Sequence, residues 1–393
     1  LDPRAQRLPL PDSLMGRLVQ YVVAHEVGHA IGFPHNMKAS YNYHPDSIRK
    51  ADFLRRMGGH TPTLMDYSRF NYVAQPEDNI PVDLLVPGVG PYDRFAVMWG
   101  HKPIPGARTP DDERATLDQW ARMQDSMPWL RFSTPDATND PGNNTEAVGD
   151  ADAVKSTTLA MKNLKRVSDM LLPVAERPGE DYALLRELYQ NVIGQWGRYM
   201  GHVAALVGGA DTQERYGTGS RFTPVSRARQ KEAVRFLGEN AFRVPPWLLD
   251  QDVLRRIEGE GVVARVRQAQ GNVLNQLLGE ARLGRLVEYE ALATRPDEAY
   301  SVGEYLGDVR RGVWGELTAG RVRVDVFRRN LQRAYLEAVD RTINPPPAPA
   351  LPPQVIILGL PQAPRFSTDA RPLLRGELVE LDRQIAAALG RTG

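Results

Sequence analysis

A mainly α-helical chain is what the sequence predicts, and three observations predict it. Leu185, Leu188, Val192, Trp196, Tyr199 and Val203 step by three or four, giving a helix over 182–207 one apolar face. Val324, Phe327, Leu331, Ala334 and Ala338 repeat that pattern near the end of the same region. Near the start, Leu14, Leu18, Val22 and Ile31 mark a helix over 12–31 that Asp12 or Ser13 can cap.

Taken in order, the elements follow from punctuation as much as from periodicity. After the helix at 12–31 the chain turns irregular from Gly32 to about Pro110, with Pro-Gly interruptions such as the run LLVPGVGPY. Residues 1–132 are therefore expected to form one part of the molecule. The polar run STPDATNDPGNNTEAVGDAD closes it as a linker over 133–152. Asp136, Asp140, Asp150 and Asp152 in that run offer oxygen to calcium, but they lack EF-hand spacing and read as a solvated loop. A helical domain is expected over 153–343, with further helices at 154–172, 226–241, 262–290 and 302–316. NPPPAPALPP then gives an extended linker over 344–353, and residues 354–393 a tail with a short strand (VIILGL) and a helix near 371–389.

Composition excludes several function classes. Lys and Arg number 49 against 48 Asp and Glu, so the chain does not hold nucleic acid by bulk charge. It has no cysteine, which removes disulfide scaffolds, thiol catalysis and thiolate metal sites. No apolar run approaches the ~20 residues that a bilayer span needs. A transition metal must use imidazole and carboxylate, and there are only 7 histidines.

Three of those seven fall in one short segment, HEVGHAIGFPH at 25–35. His25 and His29 are one helical turn apart, so both imidazoles leave the same face and can reach one ion. Glu26 is rotated by roughly 100° and is better placed to take a proton from water than to be a third ligand. Gly32 accepts the backbone conformation that a sharp helix exit needs, Pro34 stiffens the approach, and His35 arrives as the third nitrogen. Three neutral imidazoles leave one position of a zinc ion open, the mark of a catalytic site. The pattern should arise by chance in roughly one such chain per 10⁵. His44, His60, His101 and His202 have no partner at ligand spacing and read as surface or core, and Arg328, Arg329 and Arg333 read as a solvated helix face.

These residues resemble the metzincin metallopeptidases. TLMDYSRFNY at 63–72 is similar to that family's methionine-bearing turn, with Met65 and Tyr67 in its characteristic places. Together with YDRFAVMWG, GEDYALLRELYQNVIGQWGRYMGHV and DVFRRNLQRAYLEAV, the segments look like large bacterial metzincins with an extended zinc-binding domain, over most of 12–343. The resemblance implies an exported, zinc-dependent endopeptidase acting on protein or peptide, with one catalytic zinc on His25, His29 and His35 and Glu26 as general base. Met65 would supply an apolar floor under the histidines. Tyr67 matches a position where some metzincins place a tyrosine hydroxyl near the metal to steady the oxyanion; the other reading is a ring packed in the turn.

Metzincins also carry a β-sheet before the zinc helix, whereas the residues before His25 read here as helix. The chain starts at Leu1, and we expect a piece beginning at the zinc helix, with the upstream β-sheet segment of the same parent protein as its partner. Without it, cleavage should be poor and an apolar face on the helix, with Val19, Val22, Val23 and Val27, should be open. Two other functions fit the same residues: a zinc amidase acting on a non-protein amide, and a surface binding protein with a relic zinc site.

Overall fold

The computed structural model describes residues 1–133, 139–213, 219–295, 297–345 and 369–391. The fold is mainly helical. Among the described residues the only sheet is a short antiparallel pair, β1 (Ala210–Thr212) and β2 (Phe222–Pro224). The chain divides into two compact units, residues 1–205, 209–224 and 250–257 in the first and residues 206–208, 225–249 and 258–393 in the second.

The first unit opens with α1 (Asp12–Ala30), which starts where expected but takes Pro11 as its N-cap, so neither Asp12 nor Ser13 supplies a side-chain cap. The stretch from 32 to 110 is mostly short turns, as its Pro and Gly content predicts. It holds α2 (Lys38–Tyr41), α3 (Ala51–Met57) and α4 (Pro91–His101), followed by α5 (Pro110–Ala121). A core of Tyr43, Ile48, Leu54, Val73, Val148 and Leu159 draws these turns together. α6 (Ala153–Ala175) packs on α7 (Ala183–Ala204), whose buried face contains Leu185, Val192, Trp196, Tyr199 and Val203, with Tyr189 more deeply buried than Leu188.

The expected boundary at 133–152 does not divide the units. Residues 134–138, with Asp136, lie outside the described residues. The remainder of the run is folded into the first unit because its acids find partners inside. Asp140 accepts from the backbone N–H of Gly142 and Thr212, at 2.7 and 3.1 Å. It also pairs at 2.7 Å with Lys38, whose side chain is wholly buried and also meets Asp211. Asp150 is buried as well. Residues 139–152 are neither a solvated loop nor a linker, and α6 and α7 belong with the metal-motif half of the molecule.

In the second unit, α8 (Arg227–Asn240), α10 (Val262–Leu278), α11 (Glu280–Leu292), α12 (Val302–Trp314) and α13 (Val326–Ile343) pack as a helical group; α9 (Gln251–Ile257) belongs to the first. The single helix expected over 262–290 is broken because Gly279 takes an extended conformation between α10 and α11. Val324 precedes α13, whose N-cap Asp325 accepts from the Arg328 N–H at 2.8 Å. Arg328 is no solvated arginine: its guanidinium pairs with Glu316 and donates to the carbonyls of Phe242 and Val313, whereas Arg329 and Arg333 are exposed. The tail helix α14 (Ala370–Ala388) is part of this unit, held by an Arg310–Glu377 pair at 2.8 Å. The VIILGL run lies outside the described residues.

His60 and His202 are fully inside the first unit, and burial pushes both down to about 4 from an ordinary 6.5. Each donates from Nε2 to a carbonyl, His60 to Ser68 at 2.9 Å and His202 to Thr145 at 3.0 Å. A depressed folded-state pKa means that the unfolded chain gains protons first as pH falls. Stability is therefore full above about pH 6.5 and is lost on the way down to 4. Each histidine should cost about 2 kcal/mol between pH 7 and pH 5. Denaturant unfolding of metal-free protein at the two pH values checks this: His60→Gln and His202→Gln should each shrink the pH-dependent loss, and an unchanged loss would show that these rings do not titrate on unfolding.

Candidate metal centre

The last two turns of α1 present His25 and His29 on one face, and each ring is fixed by its outer nitrogen. His25 Nδ1 lies 2.6 Å from the Leu64 carbonyl, and His29 Nδ1 lies 2.8 Å from the Phe33 carbonyl. A carbonyl can only accept, so both Nδ1 atoms carry the hydrogen, the tautomer in which Nε2 offers its lone pair to a metal. The third ring closes on them: His35 Nε2 is 3.2 Å from His25 Nε2 and 3.0 Å from His29 Nε2. Burial first, then the two neighbouring imidazoles, lower the His35 pKa, which favours the uncharged ring. Three imidazole nitrogens this close can share one cation, each giving it a lone pair. Tetrahedral coordination at 2.0–2.1 Å sets ligand nitrogens about 3.3 Å apart, near the 3.2 and 3.0 Å that separate His35 from its two neighbours. The residues fit a zinc ion.

The sharp return of the chain to His35 depends on Gly32, whose φ of +94° is open to glycine and strained for other residues. The Gly32 and Phe33 N–H groups donate to the carbonyls of His29 and Gly28, closing the helix end. Glu26 is exposed, makes no hydrogen bond or ion pair among the described residues, and lies close enough to His35 for its charge to act on that ring.

Beneath the rings runs the turn that carries Met65. Three successive carbonyls of this turn accept from the metal-motif segment: Leu64 from His25, Met65 from the Asn36 N–H at 3.0 Å, and Asp66 from the Tyr21 hydroxyl at 2.9 Å. Met65 is buried directly against α1, so closely that a Cβ on Gly28 would stand 2.3 Å from its sulfur. Tyr67 is half-buried, with its ring 4.5 Å from that of His35 and 5.7 Å from that of His25. All the residues singled out in the sequence for this site are thus brought to one place.

A family model described as Met-zincin matches residues 7–320. The chain belongs to the Met-zincin family. No curated protein and no solved structure matches it. Membership in the Met-zincin family carries the implication of zinc and of peptidase chemistry, and the three-histidine cluster is where a Met-zincin of this sequence can hold its ion.

Several residues that build this Met-zincin site gave no signal that the motif reading used. Asp93, at the start of α4, accepts from Thr63 Oγ1 at 2.5 Å, from Leu64 N–H at 3.2 Å and from Gly90 N–H at 2.7 Å. It fixes the turn from behind; its place as the third residue of a helix opening in Gly-Pro is the cue that could have found it. Asp66 accepts from the N–H groups of Ser40 and Ser68, at 2.7 and 3.1 Å, while its burial raises its pKa to about 8. Gly28, inside the histidine pair, has its reason in Met65, which the motif itself does not contain. Of the other histidines, His44 and His101 are exposed.

Two outcomes are expected from this geometry. Elemental analysis should find about one zinc per wild-type chain and little on His35→Ala; equal metal in both would remove His35 from the ligand set. Gly28→Ala should destabilise the first unit by about 1–3 kcal/mol by forcing Met65 aside. Adding Met65→Ala should recover part of that loss, and a double-mutant cycle without coupling would show that the two side chains do not compete for the space.

Proposed function

We propose that the chain is a zinc-dependent endopeptidase that hydrolyses peptide bonds of protein or peptide substrates, with Glu26 as its general base. The observation that carries this reading is the convergence of three imidazoles beside an unengaged carboxylate. A zinc ion held there supplies a Lewis acid that polarises a carbonyl and makes water easier to deprotonate. Glu26 takes the proton of the attacking water and later delivers it to the leaving amine, a role open to a carboxylate that nothing else occupies. The Leu64 and Phe33 carbonyls hold the His25 and His29 rings to one tautomer, so the lone pairs stay aimed inward through the cycle. Tyr67, against two of the three rings, is proposed to steady the developing oxyanion with its hydroxyl.

A relic zinc site in a binding protein is disfavoured by Glu26, because a structural ion needs no base. Nothing at the site favours a non-protein amide over a peptide. Export from the cell is part of the proposal and rests on the metzincin resemblance alone. The outer face of α1 bears on the substrate side of the proposal. Val19, Val22, Val23 and Val27 are each more than half exposed, between 51% and 55%, so this face has no cover among the described residues. Cover by a β-sheet segment upstream in the same protein would account for it and would give an extended substrate a backbone edge to pair with.

The deciding experiment is Glu26→Gln in the zinc-loaded protein, assayed on a mixed peptide library with the upstream segment present and absent. Metal content should be unchanged, since Glu26 is not a ligand, while turnover should fall on the order of 10²-fold or more. A variant that keeps its zinc and its turnover would reject the mechanism.

A further inference from the structure

We propose that Arg69 fixes an anionic group of the substrate beside the metal centre, so that peptides carrying a carboxylate within about three residues of the scissile bond are preferred. The inference rests on the peptidase reading above and names the substrate class that this site takes.

Position comes first. The Arg69 guanidinium lies 5.4 Å from the centre of the Tyr67 ring, and that ring lies 4.5 Å from the ring of His35. The cation is therefore within about 10 Å of a candidate metal ligand, a distance that an extended peptide covers in about three residues. Its charge also reaches inward, acting on the buried Tyr21 phenol beside His25.

Charge balance comes second. Arg69 has one carboxylate near it among the described residues, Glu146 at 3.4 Å, and that carboxylate is in closer contact with Arg198. Two guanidinium groups share a single acid, which leaves a surplus positive charge. The Arg69 side chain is 49% exposed, and among the described residues it makes no hydrogen bond. The half of its planar fork not turned to Glu146 can therefore donate to a further carboxylate.

Rigidity is the third point, and it separates Arg69 from an ordinary surface arginine. The Ser68 N–H is held by Asp66, the Ser68 carbonyl by buried His60, and the Arg69 N–H by the Tyr67 carbonyl at 2.9 Å. Two residues further on, Asn71 is tied by its side chain to the Ile48 carbonyl. The backbone that carries the arginine is fixed on both sides, and the Tyr67 ring gives its stem a surface to lie on. Little ordering remains to be done when an anion arrives.

The carboxylate can come from an acidic side chain or from a free C-terminus, and a positional peptide library distinguishes the two. Glu, Gln or Lys is placed in turn at each of the central positions, and every peptide is made as the free acid and as the amide. Cleavage is measured with wild type, Arg69→Ala and Arg69→Glu. Binding is measured by fluorescence anisotropy with zinc-loaded Glu26→Gln, alone and combined with Arg69→Glu. At one position, wild type should favour Glu over Gln on the order of ten-fold in kcat/KM, mainly through KM, and the preference should fade with salt. Arg69→Ala should bring that ratio to about one, and Arg69→Glu should turn it towards Lys. If the ratio follows the C-terminal amide instead, the anion is the chain terminus.

A Glu preference that survives Arg69→Glu, or no charge preference in either cleavage or binding, would overturn the proposal. Charge-selective binding through Arg69 without cleavage would leave Arg69 standing and reject the peptidase reading.

Discussion

The hydrogen bond from His25 Nδ1 to the Leu64 carbonyl is the contact on which the rest of the site depends. It joins the metal-motif helix to the methionine turn, chooses the tautomer that leaves Nε2 bare, and sets the angle of the ring. At 2.6 Å and out of solvent, it is also a bond that neither partner can replace with water. The neighbouring bonds from Asn36 to Met65 and from Tyr21 to Asp66 repeat the same join one residue on and two residues on. With these bonds holding the turn, the Met65 side chain fills the space left by Gly28. Helix, turn and third ligand are therefore one object, not three elements that happen to meet.

Such an object has to be built from backbone that is largely neither helix nor strand. Between residues 58 and 93 few amides have regular partners, and a buried amide without a partner is costly. Buried acids solve the problem. Asp93 and Asp66 each collect main-chain N–H groups from two separate stretches, and Asp140 does the same where β1 meets the segment after α5. Close backbone approach does the remainder. A Cβ on Gly90 would stand 2.1 Å from the Pro62 carbonyl oxygen, so that glycine is there for contact. Irregularity in this region is accordingly no sign of looseness.

What could be read in advance divides along the same line. The helices were legible because periodicity is a local property, and the candidate metal centre because His25, Glu26, His29 and His35 are fixed by covalent spacing along one helix and one turn. Gly32 was legible because a helix exit has known backbone demands. Gly28 was not, because its reason is a sulfur on a residue in another segment. The solvated reading of 139–152 failed for the same cause: its polar composition is the composition of a loop, and what buries it is Lys38, about a hundred residues earlier. Arg328 was misplaced because its carbonyl partners come from two other helix ends. The metal site is encoded nearby in sequence; its support, and the division into units, are encoded at a distance.

One consequence concerns the two sides of α1. Tyr21, His25 and Gly28 face inward, on successive turns, onto the methionine turn. Val19, Val22 and Val23 lie on the opposite side, and continuing their rows by three or four residues leads to Glu26 and Val27. The carboxylate proposed as the base thus stands among the open valines rather than on the buried face. Any cover laid on those valines borders Glu26 as well, removing water from around a charge now open to solvent and strengthening every electrostatic contact beside the three imidazoles. The same packing that shields the apolar face would also dry the reacting centre. On the proposed mechanism, cover that stabilises this face would act on the chemistry as well, because the proposed base is set among the exposed valines.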